Sequence, residues 1–271
     1  FIQSADDVNN SRQILVSQGS TAQIIAKIET KAAIEPETLK EIVKAADGVM
    51  AARGDMAVET SAEIVPIVER EIIRLCRKYG KLSIVATQMM ASMVDSPEPT
   101  RAEVSDVATA AILGTDVVML SDETANGNYP VETVKMMANT VRYTQSRWPM
   151  NDMPIEEGEA NRRRNAIAHA AVEVAERVDA DLIIAETKSG ATAARIAALR
   201  PELPIIAVTP SPRVAQQLAL SYATRSYVRD DEEHAGVNVA KELLTTGKYS
   251  SNGRLVVVVA SGRQPGATGG T

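Results

Sequence analysis

Between residues 1 and about 142, short apolar runs alternate with longer amphipathic stretches, and this alternation limits the fold more than any other feature. A brief apolar run closed by polar groups reads as a buried strand, and the 3.6-residue periodicity after it reads as a helix. Strands that alternate with helices in this way pair in parallel, because the helix must carry the chain back before the next strand begins. Strands are expected at residues 23–29, 48–52, 83–87 and 116–121. An apolar stub, Phe1-Ile2-Gln3, reads as the remnant of one more.

From Trp148 to Gly158 the chain turns polar, with Asn151, Asp152 and Pro154, and reads as a linker. A second α/β unit follows. Helices are expected at 161–178, 191–199, 213–222 and up to about 246, and strands at 182–186, 205–209, 225–229 and 255–260. The expected domains are therefore 1–148 and 161–271, joined by a linker at 149–160. The 262–270 stretch reads as a flexible Gly-rich tail without a closing strand.

Composition narrows the function. A net charge of -6 argues against binding a phosphate backbone, and scarce aromatics argue against stacking on bases, so no nucleic-acid partner is expected. Arg162, Arg163 and Arg164 follow acidic Glu156, Glu157 and Glu159 and read as a solvated helix start. No apolar run reaches membrane-spanning length, so no membrane partner is expected. The lone Cys76 and the missing leader sequence point to the cytoplasm. Phe1 in place of an initiator Met leads us to expect further sequence upstream.

In a (β/α)₈ barrel the C-terminal strand ends form the active-site face. Here those ends carry Lys27 and Glu29, then Arg53-Gly54-Asp55, then Thr87-Gln88, then Ser121-Asp122-Glu123. Any one of them has an ordinary structural explanation, such as a helix cap or a snorkelling lysine. Their convergence is the signal. Glu29 and Asp55, from adjacent strands, offer the hard oxygens that Mg²⁺ or Mn²⁺ takes, leaving positions for substrate oxygens and water. Lys27 beside that cation suits stabilisation of an enolate or a transferring phosphoryl group. Gly54 permits close backbone approach to a substrate carboxylate, so a small dianion is the expected ligand.

These stretches resemble the pyruvate kinase family. The resemblance rests on Ile25-Ala26-Lys27-Ile28-Glu29, on residues 47–55 ending in Arg53-Gly54-Asp55, on Ala86-Thr87-Gln88-Met89 and on residues 99–108 from Pro99-Thr100-Arg101. Met119-Leu120-Ser121-Asp122-Glu123-Thr124, Gly127 and Tyr129-Pro130 continue it in that family's order and spacing. It implies the second half of a TIM (β/α)₈ barrel followed by a smaller α/β sandwich domain. It also implies phosphoryl transfer from phosphoenolpyruvate to ADP, giving pyruvate and ATP, the last step of glycolysis. By the resemblance, Lys27 and Thr87 are catalytic, Glu29 and Asp55 hold the metal, and the backbone at Ala52, Gly54 and Asp55 together with Thr87 binds substrate. Arg53 braces its loop, while Arg101, Glu103 and Asp106 are loop anchors or subunit contacts.

In the second unit, Thr187, Lys188, Ser189, Gly190 and Thr192 join a strand to a helix, either as a phosphate cradle or as an ordinary helix cap. The family resemblance makes this loop, with Arg263 from the tail, a pocket for a phosphorylated effector of an allosteric homotetramer. The chain departs from the family in several places. Ala57 and Asp122 stand where glycine is usual, and Ala191 and Gly236 stand where effector-binding arginines are often found. The family's K⁺ site, a phosphate-binding arginine, most of the nucleotide site and the lid domain are expected upstream of Phe1. Two rival readings are another barrel enzyme that works through metal-bound enolates, such as an aldolase or lyase, and a non-catalytic effector-binding or scaffolding fragment.

Overall fold

The computed structural model describes residues 1–148, 162–249 and 254–261. The expected linker, the glycine-rich tail with Arg263, and the side chains of Arg162, Arg163 and Arg164 lie outside the described residues. The chain divides into two compact units, Phe1–Asp152 and Met153–Thr271.

The first unit is built on one parallel sheet of β1 (Ile25–Ile28), β2 (Gly48–Ala52), β3 (Leu82–Ala86) and β4 (Val117–Met119), in that spatial order. Its helices are α1 (Ala5–Ser17), α2 (Pro36–Ala45), α3 (Arg53–Glu59), α4 (Val65–Tyr79), α5 (Arg101–Leu113), α6 (Asp122–Ala125) and α7 (Pro130–Arg147). Strand faces alternate. Ala26, Ile28, Val49 and Ala51 pack under Leu39, Ile42 and Val43 of α2 and Val68, Ile72 and Leu75 of α4. The spacing of the three α2 residues puts them on one helix face. Gly48 is required where β1, β2 and β3 meet, since a Cβ there would lie 2.8 Å from Ile25 Cδ1 and from Leu82 Cβ.

Among the described residues β1 pairs with β2 alone, and residues 1–3 join no sheet. The capping box Ser4/Asp7, in which Asp7 Oδ2 accepts the Ser4 N–H at 2.9 Å, starts α1 after them. The expected β1 is also trimmed, because the Asp47 carboxylate takes the Ile24 N–H at 2.8 Å, where strand pairing would otherwise continue.

The second unit contains α8 (Arg162–Arg177), β5 (Leu182–Glu186), α9 (Ala191–Ala198), β6 (Ile205–Thr209), α10 (Pro212–Gln217), β7 (Thr224–Val228), α11 (Ala235–Thr245) and β8 (Val257–Ser261). Its parallel sheet runs β7-β6-β5-β8. The near-continuous apolar runs are explained by cover on both faces. Ile183 and Ala185 pack with Ala168, Ala175 and Ile196 on one side, while Leu182, Ile184 and Ile206 pack with Val239 and Leu243 on the other. The unit is thus a helix-sheet-helix sandwich. Among the described residues, no helix is long and apolar enough to cross a membrane.

Candidate active site

Parallel register brings the strand ends of the first unit to one edge, with Lys27 opposite Met50, Ala52 opposite Ala86, and Ala86 opposite Met119. Lys27 and Glu29 share a face because they are two residues apart on an extended chain. The Lys27 ammonium donates to Asp55 Oδ2 at 2.7 Å and contacts Glu29 Oε2. Glu29 is buried, and its other oxygen, Oε1, lies 2.7 Å from the Phe1 backbone nitrogen. The Lys27 ammonium holds the Glu29 carboxyl well below its ordinary value. Hydrogen bonds to Asp55 and then Glu29 raise the Lys27 ammonium above its ordinary value.

Two carboxylates are therefore already focused on one positive charge, which is the donor set a hard divalent cation uses when substrate and water complete its sphere. Among the described residues no cluster of three or more His, Cys, Asp or Glu side chains gathers to hold a metal by itself. The pair fits a shared protein-substrate ion and does not fit an all-protein cage.

Thr87 and Gln88 end β3 in the left-handed region, with φ of 71° and 53°. For a β-branched residue such as Thr87 this conformation is strained and needs an outside cause. Arg53 supplies it. Its Nη2 donates to Thr87 O at 2.7 Å and Gln88 O at 3.0 Å, and its Nε donates to Thr87 O at 3.2 Å. Buried Arg53 is aimed in turn by Asp106 of α5 at 3.0 Å and Glu69 of α4 at 3.5 Å. Burial raises the Glu69 carboxyl, and the Arg53 charge partly offsets that. On the far side, a cleft of about 230 Å³ is lined by Arg53, Glu69, Arg70 and Asp106.

The Gly54 N–H, expected to face a substrate carboxylate, donates instead to Thr87 Oγ1 at 2.8 Å. A Cβ on Gly54 would meet nothing closer than Thr87 Oγ1 at 3.5 Å, so packing within the chain does not demand glycine here. The open space lies beside the Thr87 hydroxyl. Ala52 ends β2 and is fully buried, so only its backbone can serve the site.

The sequence places Glu123 among the polar groups at the end of the fourth strand without giving it a role of its own. It is buried, its Oε2 accepts the Ser121 N–H at 2.7 Å, and its Oε1 accepts the Met90 N–H at 3.2 Å, tying the β3 and β4 ends together. A charged residue in a segment otherwise going inward was the available signal. Glu103 is a structural anchor, completing a capping box with Thr100 and accepting from Ser92 at 2.7 Å. Neither Ala57 in α3 nor Asp122 at the start of α6 has a left-handed backbone, so the loss of glycine strains neither.

In the second unit the loop of Thr187, Lys188, Ser189 and Gly190 joins β5 to α9, and Thr192 lies in the first turn of α9. The N-cap is Gly190 with φ 86°, and no side chain caps the helix. Lys188 pairs with Asp231 at 2.5 Å. Glu186, at the end of β5, accepts the Gly236 N–H at 2.7 Å, and a Cβ on Gly236 would lie 2.9 Å from that carboxylate.

Residues 1–134 match the family model described as "Pyruvate kinase, barrel domain", and residues 165–271 match "Pyruvate kinase, alpha/beta domain". The chain is 39% identical to "Pyruvate kinase 2" of Synechocystis sp., with all of this chain and 45% of that protein aligned. It is 42% identical to "Pyruvate kinase" of Agrobacterium vitis, with 96% of this chain and 54% of that protein aligned. A third, "Pyruvate kinase" of Clostridium acetobutylicum, is 38% identical over 96% of this chain and 56% of that protein. The chain thus spans about half the length of the curated relatives it matches. Two family models that meet this chain in order, over strand ends that bring Lys27, Glu29, Asp55 and Thr87 to one edge, show that the chain belongs to the pyruvate kinase family.

Proposed function

We propose that the polypeptide carrying this segment transfers the phosphoryl group of phosphoenolpyruvate to ADP, with this chain forming one wall of the active site. The observation that carries the reading is the meeting of Glu29 and Asp55 on the Lys27 ammonium, beside the Thr87–Gly54 contact. Mg²⁺ or Mn²⁺, held by Glu29 and Asp55, would supply positive charge to the substrate oxygens. The P–O bond to the substrate's C2 oxygen breaks as a terminal oxygen of ADP bonds to phosphorus, and the electron pair stays on the departing enolate. Lys27 stabilises negative charge on the transferring group and on that enolate oxygen. The N–H groups of Gly54 and Asp55, in the first turn of α3 where no intrahelical acceptor is available, hold the substrate carboxylate. The Thr87 oxygen then shares the Gly54 donor. A hydroxyl is too weak an acid to protonate carbon alone, so Thr87 gives its proton to C3 of the enolate and takes one back from water.

By the same reading the complete enzyme uses K⁺, held by residues outside this chain, and works in the cytoplasm as a homotetramer. The β5–α9 loop, through Thr187, Lys188, Ser189, Gly190 and Thr192, takes a phosphorylated effector, with Arg263 closing over it. The uncapped start of α9 supports this, since its N–H groups and the nearby hydroxyls suit an anion.

The test is pyruvate formation by the full-length protein with phosphoenolpyruvate, ADP, Mg²⁺ and K⁺. Turnover is expected, and Lys27→Met should lower kcat by about a hundred- to a thousandfold. Full turnover in Lys27→Met would refute the role given to this residue.

A further inference from the structure

Arg53 is more than a brace in general terms, because of where its donors go. Three of its hydrogen bonds end on the carbonyls of Thr87 and Gln88, the two residues held in the left-handed region at the end of β3. A lysine could offer one point charge there; only the planar guanidinium fork can hold two successive carbonyls while keeping an ion pair behind. That ion pair comes from two different helices, Asp106 on α5 and Glu69 on α4, so the fork is fixed in direction. The turn is further pinned from the neighbouring strand end, where the Gly54 N–H donates to Thr87 Oγ1. With that oxygen accepting, the hydroxyl hydrogen is directed away from Gly54, and Thr87 has no acceptor for it among the described residues.

We propose that Arg53 is a positioning residue that acts through Thr87: by holding the strained Thr87–Gln88 carbonyls it keeps the Thr87 hydroxyl aimed for proton transfer. This rests on the phosphoryl-transfer reading above and names how that site is kept in register. Arg53 itself touches neither substrate nor metal. Its loss lets the turn relax toward an ordinary backbone conformation, swinging the hydroxyl off line while leaving Lys27, Glu29 and Asp55 in place. The effect should therefore fall on kcat, with KM for phosphoenolpyruvate within about twofold of the parent.

A double-mutant cycle in the full-length protein decides the matter. Arg53→Lys should lower kcat at least tenfold when Thr87 is present and less than twofold in a Thr87→Ala background. Amide hydrogen exchange at Gly54 should be faster in Arg53→Lys, because its acceptor on Thr87 is no longer fixed. Should Arg53→Lys fail to fold, Asp106→Asn, which loosens the same guanidinium while leaving it in place, should show the same dependence on Thr87 with a smaller factor. Equal losses of kcat in the two backgrounds, or Gly54 exchange that does not change, would overturn the proposal. A parent protein that makes no pyruvate would instead remove the functional reading and the catalytic role with it, and Gly54 exchange would still show whether Arg53 holds the turn.

Discussion

Lys27 serves two carboxylates at once, Glu29 and Asp55. The Lys27 ammonium holds the Glu29 carboxyl below the 4.5 of an ordinary glutamate. A lowered carboxyl stabilises the fold above its unfolded value, so this contribution is complete above about pH 4.5 and is lost as pH falls below it. Carboxyl ¹³C titration should place the Glu29 midpoint far below its usual range, and Lys27→Met should move it up; a midpoint near the ordinary value in both would contradict the contact. In the full-length enzyme, Glu29→Gln or Asp55→Asn should weaken Mg²⁺ activation by about 3 kcal/mol or more in transition-state terms, with the fold intact by circular dichroism. Unchanged metal dependence in both variants would refute the assignment. Lys27, Glu29, Asp55 and Thr87 were legible in the sequence because parallel strands put polar terminal residues on one edge. Arg53's grip on Thr87 and the burial of Glu123 were not, since they depend on left-handed backbone and on contacts across 34 and 33 positions that no local pattern encodes.

At the scale of elements, the strands and most helices followed from periodicity, and the misses have local causes. The Ser4/Asp7 capping box fixes where α1 begins, directly after the apolar stub. The helix expected at 213–222 ends at Gln217 and tightens into a 3₁₀ turn, Leu218–Leu220, so its length was overestimated. Sheet packing makes a sharp prediction at Gly48. An added methyl would be forced to within 2.8 Å of two neighbours, and Gly48→Ala should cost about 1–3 kcal/mol, read as a lower urea midpoint at constant slope. In the second unit, triple alanine substitution at Thr187, Ser189 and Thr192 should reduce the activation ratio for sugar or nucleotide phosphates to one. Activation that persisted would leave those hydroxyls without a ligand role. Gly236 sets a limit on what that loop can take, because a side chain there would first have to displace the Glu186 carboxylate.

For the whole molecule, the family was readable from motifs of the first unit in the family's order and the two-unit division from the polar break after Trp148, while the relatives that share the family are about twice as long as this chain. The four described strands of the first sheet are joined in one parallel order with β1 and β4 at its edges. Unpaired edge groups are templates for association, and closing a (β/α)₈ barrel takes eight strands. On the proposed reading, residues 1–271 alone are therefore expected to associate or aggregate and to turn over no substrate. The measurement that bears most directly on this account is coupled pyruvate formation, run side by side on the full-length protein and on residues 1–271 of confirmed mass. Phosphoenolpyruvate, ADP, Mg²⁺ and K⁺ are present in both. The account predicts Mg²⁺-dependent turnover by the full-length protein and none above background by the segment; robust turnover by the segment, or none by the full-length protein, would contradict it.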